Sequence, residues 1–501
     1  MSIRSRSLII MMSRSFSQAT AIVLGVILVR LISEETLGTY RQAFLVYYFV
    51  SAVLAFRLES SLYYFVPTLE AARQRMLVLQ TILATAAASL VLGAVLFSGS
   101  GIAARLMNNP ELKALVRVLW VYPLADGLSL LVPAYMVSVE RAVRAGVYSA
   151  AASIARVVMV VAGFALGLSL PTVLWLAVLG VGVVAVVGCL EMVRLSVRGR
   201  FHLDLALLAE QIQYTWPLWT TTAVAVLNVR FDKLLISAVF DPATYAIYSC
   251  GAFEVPVAFL ITSSIAMGMM PTLVTLARDG RVDRALSVWQ EAARKGGLIV
   301  FPCFALLLPL SRDLIVLLYR ENYAMAAWPF AVYLFVMPVH VVLYGAFLRA
   351  VGRTRPIAVS AAIALVVNVV VSVALVALGR KSLLSFVGPS IGTVCSAVVA
   401  AWYMMRSIGL AAGVPPSRVM PWKGLGQLFA VSAVAGLVTY VVPLSGVSLI
   451  ARLAIRTAVF AVALGVTLRL AGALREDERR LLRAPVRALG RLARGRGRGR
   501  T

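Results

Sequence analysis

The chain has 501 residues, 61% of them apolar and 14% charged, a balance that soluble domains do not reach. A mean hydropathy of +0.92 marks an integral membrane protein, and at about 20 apolar residues per span no room is left for a sizeable soluble enzyme domain. The 47 Lys and Arg against 21 Asp and Glu give a net charge of +26, which in a membrane protein is first a matter of topology and not of nucleic acid.

Apolar stretches bounded by charges, Pro or Gly predict about fourteen helices, an all-α polytopic architecture. The first, 8 to 31, follows Arg4 and Arg6 like a signal sequence, but it continues without a small-residue cleavage site and reads as an uncleaved span. Arg14 and Gln18 share one of its faces and Ser13, Ser17 and Thr20 another, so its first half is expected to border water. In the second, 41 to 66, helical spacing puts Arg57, Ser61 and Tyr64 on one stripe and turns Glu59 elsewhere. Spans at 77 to 98 and 114 to 137 follow, the latter with Asp126 three residues after Pro123. In the fifth, 146 to 168, Arg156 lies about 15 Å from the helix start, near the bilayer midplane. A charge there costs about 2.5–3.5 kcal/mol even on a lenient scale, so Arg156 reads as a cavity-facing cation.

A sixth span covers 172 to 193, and the seventh, 212 to 238, carries Asn228 and Asp232 on one face and Arg230 and Lys233 on another. The eighth, 244 to 270, holds Glu254. A carboxylate buried in a bilayer is readily protonated, which makes Glu254 the first choice for ion coupling, with Asp126, Asp232, Glu59 and His340 as further choices. Spans at 289 to 310 and 327 to 348 come next, the latter with His340 two residues after Pro338. The stretch 357 to 378 contains Asn368, and 387 to 405, 424 to 442 and 450 to 472 complete the set.

Cys189, Cys250, Cys303 and Cys395 lie in apolar stretches without metal or disulfide spacing and read as buried thiols. No metal site, cofactor motif or GxxxxGK[ST] loop is present, so direct ATP drive is not expected. An even number of spans puts both termini on one side, whose loops carry about 20 Lys and Arg against about 8 opposite, which predicts cytoplasmic termini. Trp120, Trp175, Trp289, Trp328 and Trp422 fall near predicted helix starts, as interfacial belts require. In the basic tail Leu482, Val486, Leu489 and Ala493 share a helical face, suited to an anionic leaflet. Removal of the tail after Arg475 is expected to spare transport.

An internal repeat is visible as well. Leu31-Ile32-Ser33, Thr39-Tyr40, Ser60-Ser61 and Pro67-Thr68-Leu69 recur about 204 residues later as Leu235-Ile236-Ser237, Thr244-Tyr245, Ser263-Ser264 and Pro271-Thr272-Leu273. Arg141-Ala142-Val143 recurs as Arg349-Ala350-Val351. The repeat predicts two six-helix lobes, 1–208 and 209–408, related by a pseudo-two-fold along the membrane normal. Two extra helices in 409–474 and the basic tail 475–501 follow.

The run Phe347-Leu-Arg-Ala-Val-Gly-Arg-Thr-Arg-Pro356, then Asn368 and Gly388-Pro-Ser-Ile-Gly-Thr-Val-Cys-Ser396, resembles the bacterial polysaccharide transporter family. These are the lipid-linked oligosaccharide flippases of O-antigen and exopolysaccharide pathways, within the multidrug/oligosaccharidyl-lipid/polysaccharide exporter superfamily. Leu37-Gly-Thr-Tyr-Arg-Gln42, Asp232-Lys-Leu-Leu-Ile-Ser237 and Tyr245-Ala-Ile-Tyr-Ser249 extend the resemblance along the whole chain. It implies a V-shaped bundle with a central cavity, alternating access, and an inner-membrane flippase for undecaprenyl-pyrophosphate-linked oligosaccharide. It further implies H+ or Na+ as coupling ion, polymerase and ligase partners, and no bond broken.

A dianionic pyrophosphate favours Arg through its planar bidentate donors. Arg14, Arg57 and Arg156 are therefore its expected ligands, with Gln18, Ser61, Tyr64, Arg230 and Asn368 as further substrate contacts; Tyr63, Tyr64, Trp216 and Trp219 are available to stack on sugars. The rival readings are a cation-coupled drug extruder, which wants an acidic cavity, and a lipid II flippase. A membrane glycosyltransferase or polymerase would need catalytic carboxylates in a sizeable outer loop.

Overall fold

The structure, a computed structural model, describes residues 3–55, 57–196, 203–444, 446–476 and 478. Among these every regular element is a helix. In chain order they are α1 (Ile3–Leu31), α2 (Glu34–Leu54), α3 (Glu59–Thr68), α4 (Ala71–Leu106), α5 (Leu112–Val118), α6 (Tyr122–Ser138), α7 (Ala142–Ala165), α8 (Leu170–Leu195), α9 (Leu205–Val239) and α10 (Pro242–Gly251). There follow α11 (Pro256–Arg278), α12 (Val282–Tyr319), α13 (Ala327–Leu334), α14 (Val336–Val339), α15 (Tyr344–Ala350), α16 (Arg355–Gly379), α17 (Leu383–Ala412), α18 (Pro416–Val419), α19 (Trp422–Val441) and α20 (Leu449–Leu470). Short 3₁₀ turns at Leu119–Val121 and Glu321–Ala326 join their neighbours.

Among the described residues eleven helical stretches are long and apolar enough to cross a membrane, twelve if α2 and α3, bent by 44°, form one broken span. The chain is a multi-pass membrane protein. Helix also stands at the other two predicted spans, but Phe16–Leu31 is shorter, and α9 carries Glu210, Arg230, Asp232 and Lys233 along its length.

Local chemistry explains where the helices depart from the sequence expectation. Ser33 caps α2, its Oγ accepting the Thr36 N–H at 3.2 Å. The helix therefore starts at Glu34, and Arg41 lies two turns inside it instead of at its first residue. The second predicted span is broken between α2 and α3, with Arg57 in the break at φ 49°, so Arg57, Ser61 and Tyr64 do not form one helical stripe. The eighth is split into α10 and α11 around Glu254, and the tenth into α13, α14 and α15 around His340. Helix α12 begins at Val282, seven residues before Trp289. That residue is fully buried and donates from Nε1 to the Leu343 carbonyl at 3.3 Å, which places it in a core and not in an interfacial belt.

The chain forms two compact units: Met1–Ala252 with Glu321–Pro329 and Ala364–Ser396, and Phe253–Arg320 with Phe330–Ile363 and Ala397–Thr501. In the first, Leu62, Leu77, Leu131, Tyr135 and Met192 belong to one buried apolar cluster. Helices α2 and α10 meet backbone to backbone, since a Cβ on Gly38 would stand 1.8 Å from the Pro242 carbonyl oxygen. A buried polar chain holds the same region: Gln42 Nε2 donates to Ser237 Oγ at 3.0 Å, and Asn109 Nδ2 donates to Gln42 Oε1 at 2.6 Å and Thr39 Oγ1 at 3.0 Å.

In the second unit, Trp289, Phe347, Ile408 and Leu428 belong to the core. Arg294 of α12 is buried against Glu478, with Nε to Oε1 at 2.6 Å and Nη2 to Oε2 at 3.1 Å, and its Nη2 also donates to the Ala473 carbonyl at 2.7 Å. The start of the tail is thus fastened to α12. Asp313 of the same helix accepts from Arg452 and Arg456 of α20 at 3.3 and 2.7 Å. The amphipathic run Leu482, Val486, Leu489 and Ala493 lies outside the described residues.

Candidate functional site

Two adjoining chambers in the first unit gather most of its intramembrane charge. One, of about 270 Å³, is lined by Arg41, Arg156, Arg230 and Lys233 and by Tyr40, Tyr48 and Tyr245, and among the described residues by no carboxylate. The other, of about 260 Å³, is lined by Arg57, Arg230, Glu59 and Asp126 together with Tyr47, Tyr48 and Trp219. Tyr48 and Arg230 belong to both, and the Arg230 guanidinium lies over the Tyr48 ring at 3.9 Å from its centroid. A partly exposed cation–π contact of that kind contributes about 0.5–2 kcal/mol.

Each cation of the first chamber is held from behind. Arg41 donates to Ser249 Oγ at 2.6 Å, a bond between α2 and α10. Arg156, near the middle of α7, donates from Nη1 to the Tyr122 hydroxyl at 3.3 Å, and its buried Nε has no hydrogen-bond partner among the described residues. Lys233 stands 3.4 Å from both oxygens of Asp232, which is fully buried and accepts from the Tyr248 hydroxyl at 3.1 Å. With donors fixed in advance, and with three guanidinium groups and one ammonium in its lining against the single Asp232 carboxylate behind Lys233, the chamber is suited to an anion with several oxygens.

The second chamber is electrically mixed. Arg57 Nε and Glu59 Oε1 pair at 2.8 Å, although helical spacing had separated them; the break that releases Arg57 from the helix allows the contact. Asp126 Oδ2 accepts from the Tyr47 hydroxyl at 2.7 Å, and the Tyr47 ring meets Tyr122 edge-on at 4.9 Å. Trp219 is backed by Trp216 at 4.9 Å.

The remaining residues singled out from sequence lie elsewhere. Ser61 is fully buried, accepting from Gln211 Nε2 at 2.9 Å and donating to the Leu58 carbonyl at 2.7 Å. Tyr64 is exposed and stacks on Tyr214. Asn368 is fully buried, with Nδ2 donating to the Asn228 carbonyl and Oδ1 at 2.9 and 3.0 Å and Oδ1 accepting from Ser372. It fastens α16 to α9 and lines neither chamber. Gln18 is exposed on α1, which touches α7 through a Ser153–Ser17 hydrogen bond of 3.0 Å. The side chain of Arg14 lies outside the described residues.

Glu254 and His340 meet in the second unit, Oε2 to Nδ1 at 4.0 Å, on a cavity of about 210 Å³ that Thr262 and Tyr333 also line. Glu254 was expected to be buried, but its side chain is 46% exposed, because it stands in the break between α10 and α11 and not on a packed helical face. Among the described residues no three His, Cys, Asp or Glu side chains are grouped to hold a metal.

Sequence reasoning missed Arg41 and the tyrosines behind the cations, and it left Lys233 without a role. Ser33 followed by Glu34-Glu35 is a helix-start signature, and it would have placed Arg41 two turns inside the membrane helix.

Residues 27–328, more than half of the chain, match the family model described as polysaccharide biosynthesis protein. No curated protein matches the chain. Among solved structures it is similar to the lipid II flippase MurJ in an inward closed conformation, with a TM-score of 0.70 at 14% identity over 91% of this chain and 98% of that one. An inward-facing multidrug resistance MATE transporter of the MOP superfamily gives a TM-score of 0.60 at 14% identity over 79% and 95%. A MOP superfamily transporter from Pyrococcus furiosus, described by the reverse polarity of its binding pocket, gives 0.53 at 14% over 81% and 95%. The chain shares its fold with these solved transporters.

Proposed function

We propose, since this chain belongs to the polysaccharide biosynthesis protein family, that it is a flippase carrying a polyprenyl-pyrophosphate-linked oligosaccharide from the cytoplasmic to the outer leaflet by alternating access. The observation that carries this reading is the chamber of Arg41, Arg156, Arg230 and Lys233, which no carboxylate lines among the described residues. Clustered cations at membrane depth are costly and persist where a ligand or wet cavity compensates them. A pyrophosphate does so with several oxygens that accept from planar guanidinium forks. An extruder of organic cations would gain nothing from such a chamber.

MurJ is a lipid II flippase by its description, so lipid II is the second reading; the head group beyond the pyrophosphate separates the two. Undecaprenyl is the expected carrier, and the apolar groove of Phe301, Trp402, Trp422 and Phe429 in the second unit suits an isoprenoid chain. Transport is coupled to an ion gradient through Glu254 and His340, whose facing at a helix break resembles the broken-helix sites of secondary transporters. The basic loops favour cytoplasmic termini in a bacterial inner membrane. The tail would rest on anionic lipid, and polymerase and ligase would consume the product.

The test is flipping of lipid-linked oligosaccharide by full-length protein in proteoliposomes, at matched insertion, with and without a pH gradient. Arg156→Ala should lower the rate by at least about tenfold, a transition-state loss of about 1.4 kcal/mol or more. Glu254→Gln should abolish the response to the gradient while leaving downhill exchange. Wild-type flipping by Arg156→Ala would make Arg156 a packing residue, and transport of organic cations without lipid flipping would favour the extruder.

A further inference from the structure

We propose that the mixed-charge chamber beside the pyrophosphate site is a saccharide subsite, which takes the first, uncharged sugar ring attached to the phosphate. This rests on the flippase reading and adds to it the chemistry of the group next to the pyrophosphate. The two chambers share Tyr48 and Arg230, so an anion held among Arg41, Arg156 and Lys233 has its next group at that shared wall.

Three features of the second chamber fit a sugar and not a second anion. Its lining charges are two arginines, Arg57 and Arg230, and two carboxylates, Glu59 and Asp126, so a further negative group gains no net attraction there. Its volume of about 260 Å³ lies below the roughly 300–1,000 Å³ of sites for drug-sized ligands, which suits one ring.

Its polar groups are of the kind that read hydroxyls. Asp126 has acceptor capacity beyond the bond from Tyr47. Thr85 Oγ1 is buried against the chamber with no hydrogen-bond partner among the described residues, an arrangement that a native core rarely leaves unfilled. Trp219, backed by Trp216, supplies the aromatic platform on which the apolar face of a pyranose packs. A uronic acid would set its carboxylate against Asp126 and Glu59, so the assignment is to a neutral hexose or N-acetylhexosamine.

The experiment measures dissociation constants of two probes with the full chain in nanodiscs: farnesyl pyrophosphate, and the farnesyl diphosphate ester of N-acetylglucosamine. The wild type should bind the sugar ester about tenfold tighter. Trp219→Leu and Thr85→Val should each remove most of that difference and hold farnesyl pyrophosphate within about twofold of wild type, which also shows that they fold. Arg156→Gln should weaken both probes. Equal binding of both probes by the wild type, or variants that weaken both equally or neither, overturns the saccharide assignment alone. Failure of the wild type to bind either probe overturns the pyrophosphate reading, and the saccharide assignment falls with it.

Discussion

Individual charged side chains behave differently according to what stands within a few ångströms of them. Arg156 was legible because its depth follows from counting residues along an apolar helix, whereas Arg41 was not, because its depth depends on where α2 begins. Glu59 shows the opposite failure: helical geometry separated it from Arg57, and the break at Arg57 brought them to 2.8 Å. Arg294 looked in sequence like one more cation on the positive side, yet it is 5% exposed and bound to Glu478. Removing one partner of a buried pair strands the other charge at a cost of about 3–5 kcal/mol. Glu478→Gln should therefore lower the melting temperature measurably, and Arg294→Met combined with Glu478→Leu should recover part of the loss, because the stranded charge is gone.

At the level of elements, the apolar periodicity located a helix at every predicted span, and the breaks within spans were the harder part. The break before α11 has a local cause in Pro256, which disfavours helix in the preceding residue. The break between α2 and α3 contains neither Pro nor Gly, so no local rule announces it. Caps repeat more regularly than the landmarks of the internal repeat: Ser33 with Thr36 begins α2, Asp241 with Thr244 begins α10, and each pair is 208 residues apart.

Asp241 accepts from Thr244 N at 3.0 Å and Oγ1 at 2.7 Å. Burial pushes its carboxyl up, but these bonds outweigh burial and hold it below the usual value. A carboxylate lowered in the folded state stabilises fully above its unfolded pKa of about 3.9 and loses that contribution as pH falls through the lower folded value. Asp241→Ala should cost about 1 kcal/mol at neutral pH, and the difference from wild type should shrink below about pH 4. Thermal melts across that range check both.

For the molecule as a whole, composition was enough to establish a polytopic helical membrane protein, and the family resemblance agrees with the match over residues 27–328. The fastening of the tail was not legible, since it depends on one acidic residue at the edge of a basic run. It changes what a truncation means. Cutting after Arg475 removes Glu478 and strands Arg294, so loss of transport by that variant would report a damaged core. Ending the chain at residue 480 keeps the buried pair and removes most of the basic tail. That shorter truncation should retain folding and flipping in proteoliposomes while losing affinity for anionic vesicles.

The contact between Gly38 and Pro242 leaves no gap for a methyl group, and the Arg41–Ser249 bond closes the same seam. The seam is closed in this conformation, and any motion that carries α2 away from α10 must break the Arg41–Ser249 bond and open that backbone contact. Spin labels on the outward faces of these two helices would report the opening of that seam as an increase in their separation.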